Sequence, residues 1–301
     1  MLRIFIISNF LFAPYAFAGF KFEYSNDFFT GTDQYFSQGI ELDYKSDSLK
    51  KILPDTPLLI KKEKILRTEF SISLDYFGFT PKDAYPPEIQ LGDRPFANVM
   101  LFSGSTDSLL KKSMIQISST YKIGAIGRLT GGEFVHKSIH KATGNKLPRG
   151  WDNQIKNDLL LSFEVHLIKH FSFFKNYLQL QGGVELELGS WRIRQAIAAK
   201  IKMGFLEEIM SIKKASSAYV FLSPSLTRVY FDASLQGGIL SRNSPYKLSS
   251  KEVKDYASTL ETGIHLGIKS FAIEYSQVWM SREFNSGEKH SYGKLSLLFN
   301  F

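Results

Sequence analysis

Leu178-Gln179-Leu180-Gln181-Gly182-Gly183-Val184-Glu185-Leu186-Glu187-Leu188 alternates apolar and polar side chains, broken only where Gly182 and Gly183 stand together. Successive side chains of a strand point to opposite faces, so this segment has one apolar and one polar face. Its length is that of a tilted strand crossing a bilayer, about 9–11 residues. The pattern recurs outward in both directions. Phe70, Ile72, Leu74 and Tyr76 alternate with polar residues, as do Leu159 to Leu167, Phe271 to Trp279 and Leu295 to Phe301. A soluble sandwich alternates as well, but here the polar faces gather Glu185, Glu187, Arg194, Lys200, Lys202, Glu261 and Glu274. Carboxylates and bases together on the polar face suit the lumen of a membrane barrel whose apolar face meets lipid.

Strands are expected near Phe20–Ser25, Phe36–Tyr44, Thr68–Tyr76, Phe96–Gly104, Ser113–Gly124 and Asn157–Ile168. Six more follow near Tyr177–Gly189, Arg192–Gly204, Ser217–Tyr230, Tyr256–Ile268, Ser270–Glu283 and His290–Phe301. The fold class is therefore all-β, an antiparallel transmembrane β-barrel of about twelve strands, an even number as single-chain bacterial barrels have. With both termini in the periplasm, the connections Phe77–Pro95 and Ala125–Lys156 fall on the external side. The second contains a glycine-opened run, Gly131 to His140, which can form a short helix in an extracellular loop with His136 and His140 on one face.

The chain termini agree with export. Met1 to Ala18 carries Arg3, an apolar run from Ile4 to Phe12 and the ending Ala16-Phe17-Ala18, the layout of a secretory signal peptide. The expectation is a signal peptide over 1–18 and a barrel domain over 19–301. Phe301 closes an alternating segment, which resembles the C-terminal sorting signal of outer-membrane barrels. No later stretch reaches the roughly 18 consecutive apolar residues of a transmembrane helix. The absence of Cys excludes thiolate metal sites and a Cys nucleophile. A net charge of +8 would suit nucleic acid or an anionic lipid surface; export favours the lipid.

Four patterns stand out in the connections: Asn26-Asp27-Phe28-Phe29 with Thr32-Asp33, Phe36-Ser37-Gln38-Gly39, Gly92-Asp93-Arg94-Pro95-Phe96, and a histidine segment ending in Gly150-Trp151-Asp152-Asn153-Gln154. In this order, on an exported barrel, they resemble the outer-membrane lipid A deacylases, the LpxR-type lipid A 3′-O-deacylases. That resemblance implies a twelve-stranded barrel that hydrolyses the 3′ acyloxyacyl ester of lipid A with calcium and a histidine base. It implies His140, eleven positions before Trp151, as the base. It further implies that Asp27 helps to place calcium (Ca2+), that Asn26 helps to position the oxyanion or the ligand set, and that Ser37 adds a hydroxyl. Lipid A, or lipopolysaccharide, and the outer membrane are then the expected partners, with no nucleic acid, and the barrel is expected to be a monomer.

The residues themselves agree in part. Histidine has the unperturbed pKa of a general base near neutral pH, and an amide, a carboxylate and a hydroxyl are oxygen donors of the kind calcium takes. A zinc site at His136 and His140 is disfavoured, because Lys137 stands where a zincin needs a Glu. Asp93 and Arg94 are expected to pair and anchor their loop, and Gly150-Trp151 to set a turn and an interfacial ring. Three positions depart from the family pattern. Ser37 replaces Thr, Lys146 stands where the offset from the histidine places a Glu, and Thr80 to Tyr85 lacks an adjacent Lys-Arg pair for a lipid phosphate, leaving Lys82 alone. A non-enzymatic barrel, either a pore or an inactive relative, is the alternative reading.

Overall fold

The computed structural model describes residues 18–32, 34–54, 64–174, 177–207 and 216–300. The expected signal segment, apart from Ala18, and the terminal Phe301 lie outside the described residues. Twelve antiparallel strands follow one another in sequence order and close when the last pairs with the first, Gly19 opposite Asn300 and Asn26 opposite Gly293. They are β1 (Ala18–Asn26), β2 (Phe36–Ser46), β3 (Ile65–Phe79), β4 (Ala97–Leu110), β5 (Ile115–Ile126) and β6 (Asp158–Phe173). The second half supplies β7 (Leu178–Gly189), β8 (Arg192–Phe205), β9 (Ser217–Asp232), β10 (Tyr256–Ile268), β11 (Phe271–Met280) and β12 (His290–Asn300). All twelve expected strands are present. Several run longer than the alternation suggested, and β11 is shorter, ending at Met280 rather than Glu283.

Burial follows the pleat. On β7, Val184 is 50% exposed while Glu187, on the opposite face, is 0% exposed. Apolar side chains thus face outward to lipid and polar ones inward, the reverse of a soluble domain. The lumen is filled by ion pairs. Lys21 reaches Glu23 and Glu41 at 2.9 Å each, and Lys294 reaches Glu261 at 3.1 Å. Arg194 reaches Glu185 at 2.7 Å and Glu187 at 2.8 Å, and Lys122 pairs with Glu164. Glu164, His166 and Glu185 offer three ligand atoms close together, but Lys122 and Arg194 already hold these carboxylates. Water lining an open channel would expose such side chains; their burial describes a plugged barrel.

Near the rim opposite the termini the filling turns apolar. Phe36, Phe77, Phe79, Val99, Trp191 and Tyr292 belong to one buried cluster there. Above it the connection after β9 folds over the opening, opened by α2 (Ala233–Gln236) and fastened by a bridge between Val253 and Phe284. Arg94 is buried beneath it, its guanidinium 4.5 Å from the Phe79 ring centre, donating to Ser234 Oγ at 3.1 Å and lying 3.6 Å from Glu283. The expected pair with Asp93 does not form through the Arg94 side chain. Asp93 instead accepts from the backbone N–H groups of Arg94 and Lys82, at 2.7 and 2.9 Å, and fastens its loop that way.

Candidate active site

The site lies on the outside of the barrel wall, at the rim opposite the termini. On β1, Lys21, Glu23 and Ser25 face the lumen, so Asn26 falls on the outer face with Tyr24, to whose hydroxyl it donates at 3.1 Å. On β2 a bulge at Ser37 interrupts the register between Phe36 and Gln38. It leaves Phe36 packed inside while Gln38 shares the outer face with Ile40 and Leu42. Gln38 pairs with Gly78 of β3, which pairs with Asn98 of β4, so these three form a row across the outer wall.

Asn26 caps a one-turn 3-10 helix, Asp27–Thr30. Its Oδ1 accepts from the Phe28 N–H at 2.7 Å, and its Nδ2 donates to the Ser37 carbonyl at 2.5 Å as well as to Tyr24. Both amide hydrogens are thereby engaged, and the oxygen keeps one lone pair. Asp27 is buried, with one carboxylate oxygen accepting from the Gln34 N–H at 2.7 Å. Ser37 Oγ lies 2.9 Å from Thr80 Oγ1.

A helix, α1 (Gly132–Thr143), covers the row. Gly131 and Gly144, both in the left-handed region at φ 74° and 73°, bracket it. The expected glycine-opened helix is present, and it turns Gly132, His136 and His140 inward as one buried face. Gly132 sits directly on Asn98: a Cβ there would lie 2.3 Å from the Asn98 Cβ, so only glycine permits the approach. Thr130, just before the helix, adds a hydrogen bond of 2.7 Å to the Asn98 carboxamide.

The two histidines are held by different partners. His140 Nδ1 lies 2.6 Å from the Lys146 carbonyl oxygen. A carbonyl only accepts, so Nδ1 carries the proton and Nε2 of the neutral ring is left as a base. His136 Nδ1 accepts from the indole Nε1–H of Trp151 at 3.2 Å, and the two imidazoles meet edge to face with centroids 4.4 Å apart. Burial pushes His136 down to about 3, so it is neutral at any physiological pH. Trp151 is 0% exposed and packs with Phe96 and Ala84. It is therefore a strut under α1 and not the interfacial ring expected from sequence.

The Asn26, Asp27 and Ser37 group and the histidines are joined through the connection after β3. Thr80 bonds Ser37 at one end of this segment, and Tyr85 lies against His140 five residues later, with ring centroids 6.4 Å apart. The Lys146 ammonium lies 4.7 Å from the centre of the Tyr85 ring. Lys82 is taken up by Glu288 at 2.5 Å. Sequence reasoning missed Gln38, Thr80, Asn98 and the role of Trp151. Gln38 did stand within the Phe36–Gly39 pattern, but the contacts of the others form only in the folded chain. As a metal site, Asp27, Asn26 and Ser37 are a hard, all-oxygen set containing one anion, which fits calcium better than zinc.

A family model described as outer membrane protein LpxR matches residues 4–301. Among solved structures the chain is similar to LpxR from Salmonella typhimurium, at 18% identity and a TM-score of 0.77, over 94% of this chain and 100% of that one. It is also similar to the beta domain of the Bordetella autotransporter BrkA, at 10% identity and a TM-score of 0.44, over 94% and 98% of the two chains. No curated protein sequence matches it. A family match over nearly the whole length, on a closed twelve-stranded barrel that shares its fold with a solved LpxR, makes this chain an outer-membrane protein of the LpxR family.

Proposed function

We propose that this chain is an outer-membrane esterase that removes the 3′-linked acyloxyacyl chain of lipid A, with His140 as general base and with calcium held by Asp27, Asn26 and Ser37. The observation that carries the reading is the fixed tautomer of His140, whose Nδ1–H is spent on the Lys146 carbonyl. That leaves Nε2 to take a proton from water as it attacks the ester carbonyl carbon. The carbonyl electron pair moves to its oxygen. Collapse of the tetrahedral species then expels the sugar 3′ oxygen, which takes the proton back from His140, giving a free acid and an alcohol. Bound calcium would add positive charge for the electron density that develops on oxygen.

The position of the site supports a lipid substrate. The site lies on the outer face of the wall, so a glycolipid in the outer leaflet would approach it between the wall and α1, without passage through the lumen. Phe28, beside Asp27, and Phe134, on the outward face of α1 away from the histidines, are each 76% exposed and offer apolar surface to lipid. Lys146, in place of a carboxylate, favours a second reading as an inactive relative. Mass spectrometry of lipid A from a host expressing the chain, with and without calcium, separates the two. Loss of one acyloxyacyl unit is expected, and unchanged lipid A in both conditions would leave the inactive relative.

A further inference from the structure

His136 has a hydrogen atom with nowhere to go. An indole nitrogen is a donor only, so the Trp151 contact at 3.2 Å requires Nδ1 of His136 to be the acceptor. The neutral ring must then carry its proton on Nε2. That nitrogen is buried, in a residue 2% exposed, and has no hydrogen-bond partner. Buried polar groups in native proteins are nearly always paired, and an orphan at a functional site signals a missing partner. The wall beneath α1 holds a second such group, Gln38, 1% exposed with both amide atoms unpartnered.

We propose that His136 is a further catalytic residue, whose Nε2–H receives the ester carbonyl oxygen as it becomes an oxyanion. The inference rests on the esterase reading of the same site and adds to it a donor for which the chain already has the right tautomer. Base and donor stand on successive turns of one helix, on the same buried face, with ring centroids 4.4 Å apart. Water activated by His140 therefore attacks a carbonyl whose oxygen is within reach of His136. Asn26 does not supply this donor, because both its amide hydrogens are committed to Ser37 and Tyr24. Nor does His136 serve as a second base, since its Nδ1 is taken by Trp151 and its Nε2 is already protonated. A neutral imidazole N–H, aimed before the reaction starts and kept dry, stabilises developing negative charge without reorganisation. Trp151 is the positioning residue that sets the tautomer.

Three measurements on the full-length protein in detergent test the assignment. Nitrogen-15 spectra of histidine-labelled protein should show His136 as the Nε2–H tautomer from pH 8 to pH 5; the Nδ1–H tautomer would overturn the proposal. His136→Phe, which keeps a ring, should lower kcat on lipid A by about 10²–10³-fold with KM little changed. His136→Gln, which restores an amide donor, should recover most of that loss. Near-parent kcat in His136→Phe, with α1 as resistant to protease as in the parent, would also overturn it. If the parent hydrolyses no ester, the esterase reading fails on its own and a phosphonate analogue of the 3′ ester decides the donor. Binding at least tenfold weaker to His136→Phe supports it; equal binding, or none to the parent, refutes it.

Discussion

The Lys146 carbonyl oxygen accepts from His140 Nδ1 at 2.6 Å, while the Lys146 ammonium stands 4.7 Å from the centre of the Tyr85 ring. Residue 146 thus orients the base through its backbone, which any amino acid supplies, and its side chain is free to differ. Lys146→Ala should accordingly keep most of the turnover, whereas His140→Ala should lose about 10²–10⁴-fold. A lipid A product assay reads both. A Lys146→Ala variant as inert as His140→Ala would tie the side chain itself to the chemistry.

Calcium dependence should be real but weak. Asp27 is the one anion of the proposed ligand set, and few-charge sites of this kind bind calcium with dissociation constants of about 10⁻⁴–10⁻³ M. Chelation should abolish turnover, millimolar calcium should restore it, and zinc should not. Asp27→Asn should lose activity at any calcium concentration, because it takes away the one anion of the set. Recovery with zinc alone would move the metal to the histidines.

Docking of α1 should weaken in acid. His136 is held down at about 3, below its unfolded value near 6.5, because burial excludes the charged ring. Between those values the open form binds more protons than the docked form. The stability of docking is therefore full above about pH 6.5 and falls as pH drops towards 3, by at most about 1.4 kcal/mol per pH unit. Protease sensitivity within residues 127–157 should rise from pH 7 to pH 4.5 while the barrel stays intact, and His136→Phe should flatten that dependence.

Gly132→Val should lift α1 off the wall without unfolding the barrel. Its Cβ would fall 2.3 Å from the Asn98 Cβ, a contact neither backbone can relieve cheaply. Turnover should fall sharply and the 127–157 connection should become protease-sensitive, with heat-modifiable gel mobility unchanged. Parent-like activity would mean that the site does not need this contact.

In the lumen, Arg194→Met should cost about 3–5 kcal/mol, because it removes the cation that Glu185 and Glu187 face at 2.7 and 2.8 Å and leaves them only His166 at 3.9 Å and Lys122 at 3.6 Å. Urea unfolding in micelles measures it. Glu185→Gln in the Arg194→Met background should return part of the loss by removing the buried carboxylate left with the most distant partner.

The barrel was legible because its code is local. Side chains two apart share a face, so Leu178 to Leu188 announces a membrane strand with no knowledge of its neighbours, and the glycines that open α1 mark the start of that helix in the same way. The spacing of His136 and His140 likewise fixed that they share one helical face. What the two rings do there was not legible, because it depends on partners that chain closure brings in. Trp151 becomes a buried strut only once Ala84 and Phe96 pack on it. Arg94 abandons the adjacent Asp93 for Ser234 and Glu283, and Lys82 finds Glu288 only across the closed rim. The Ser37 bulge sets which side chains of β2 leave the lumen for the outer wall. Periodicity is written in neighbouring residues, whereas a tautomer or a buried donor depends on contacts made far along the chain, and only the closed barrel decides those.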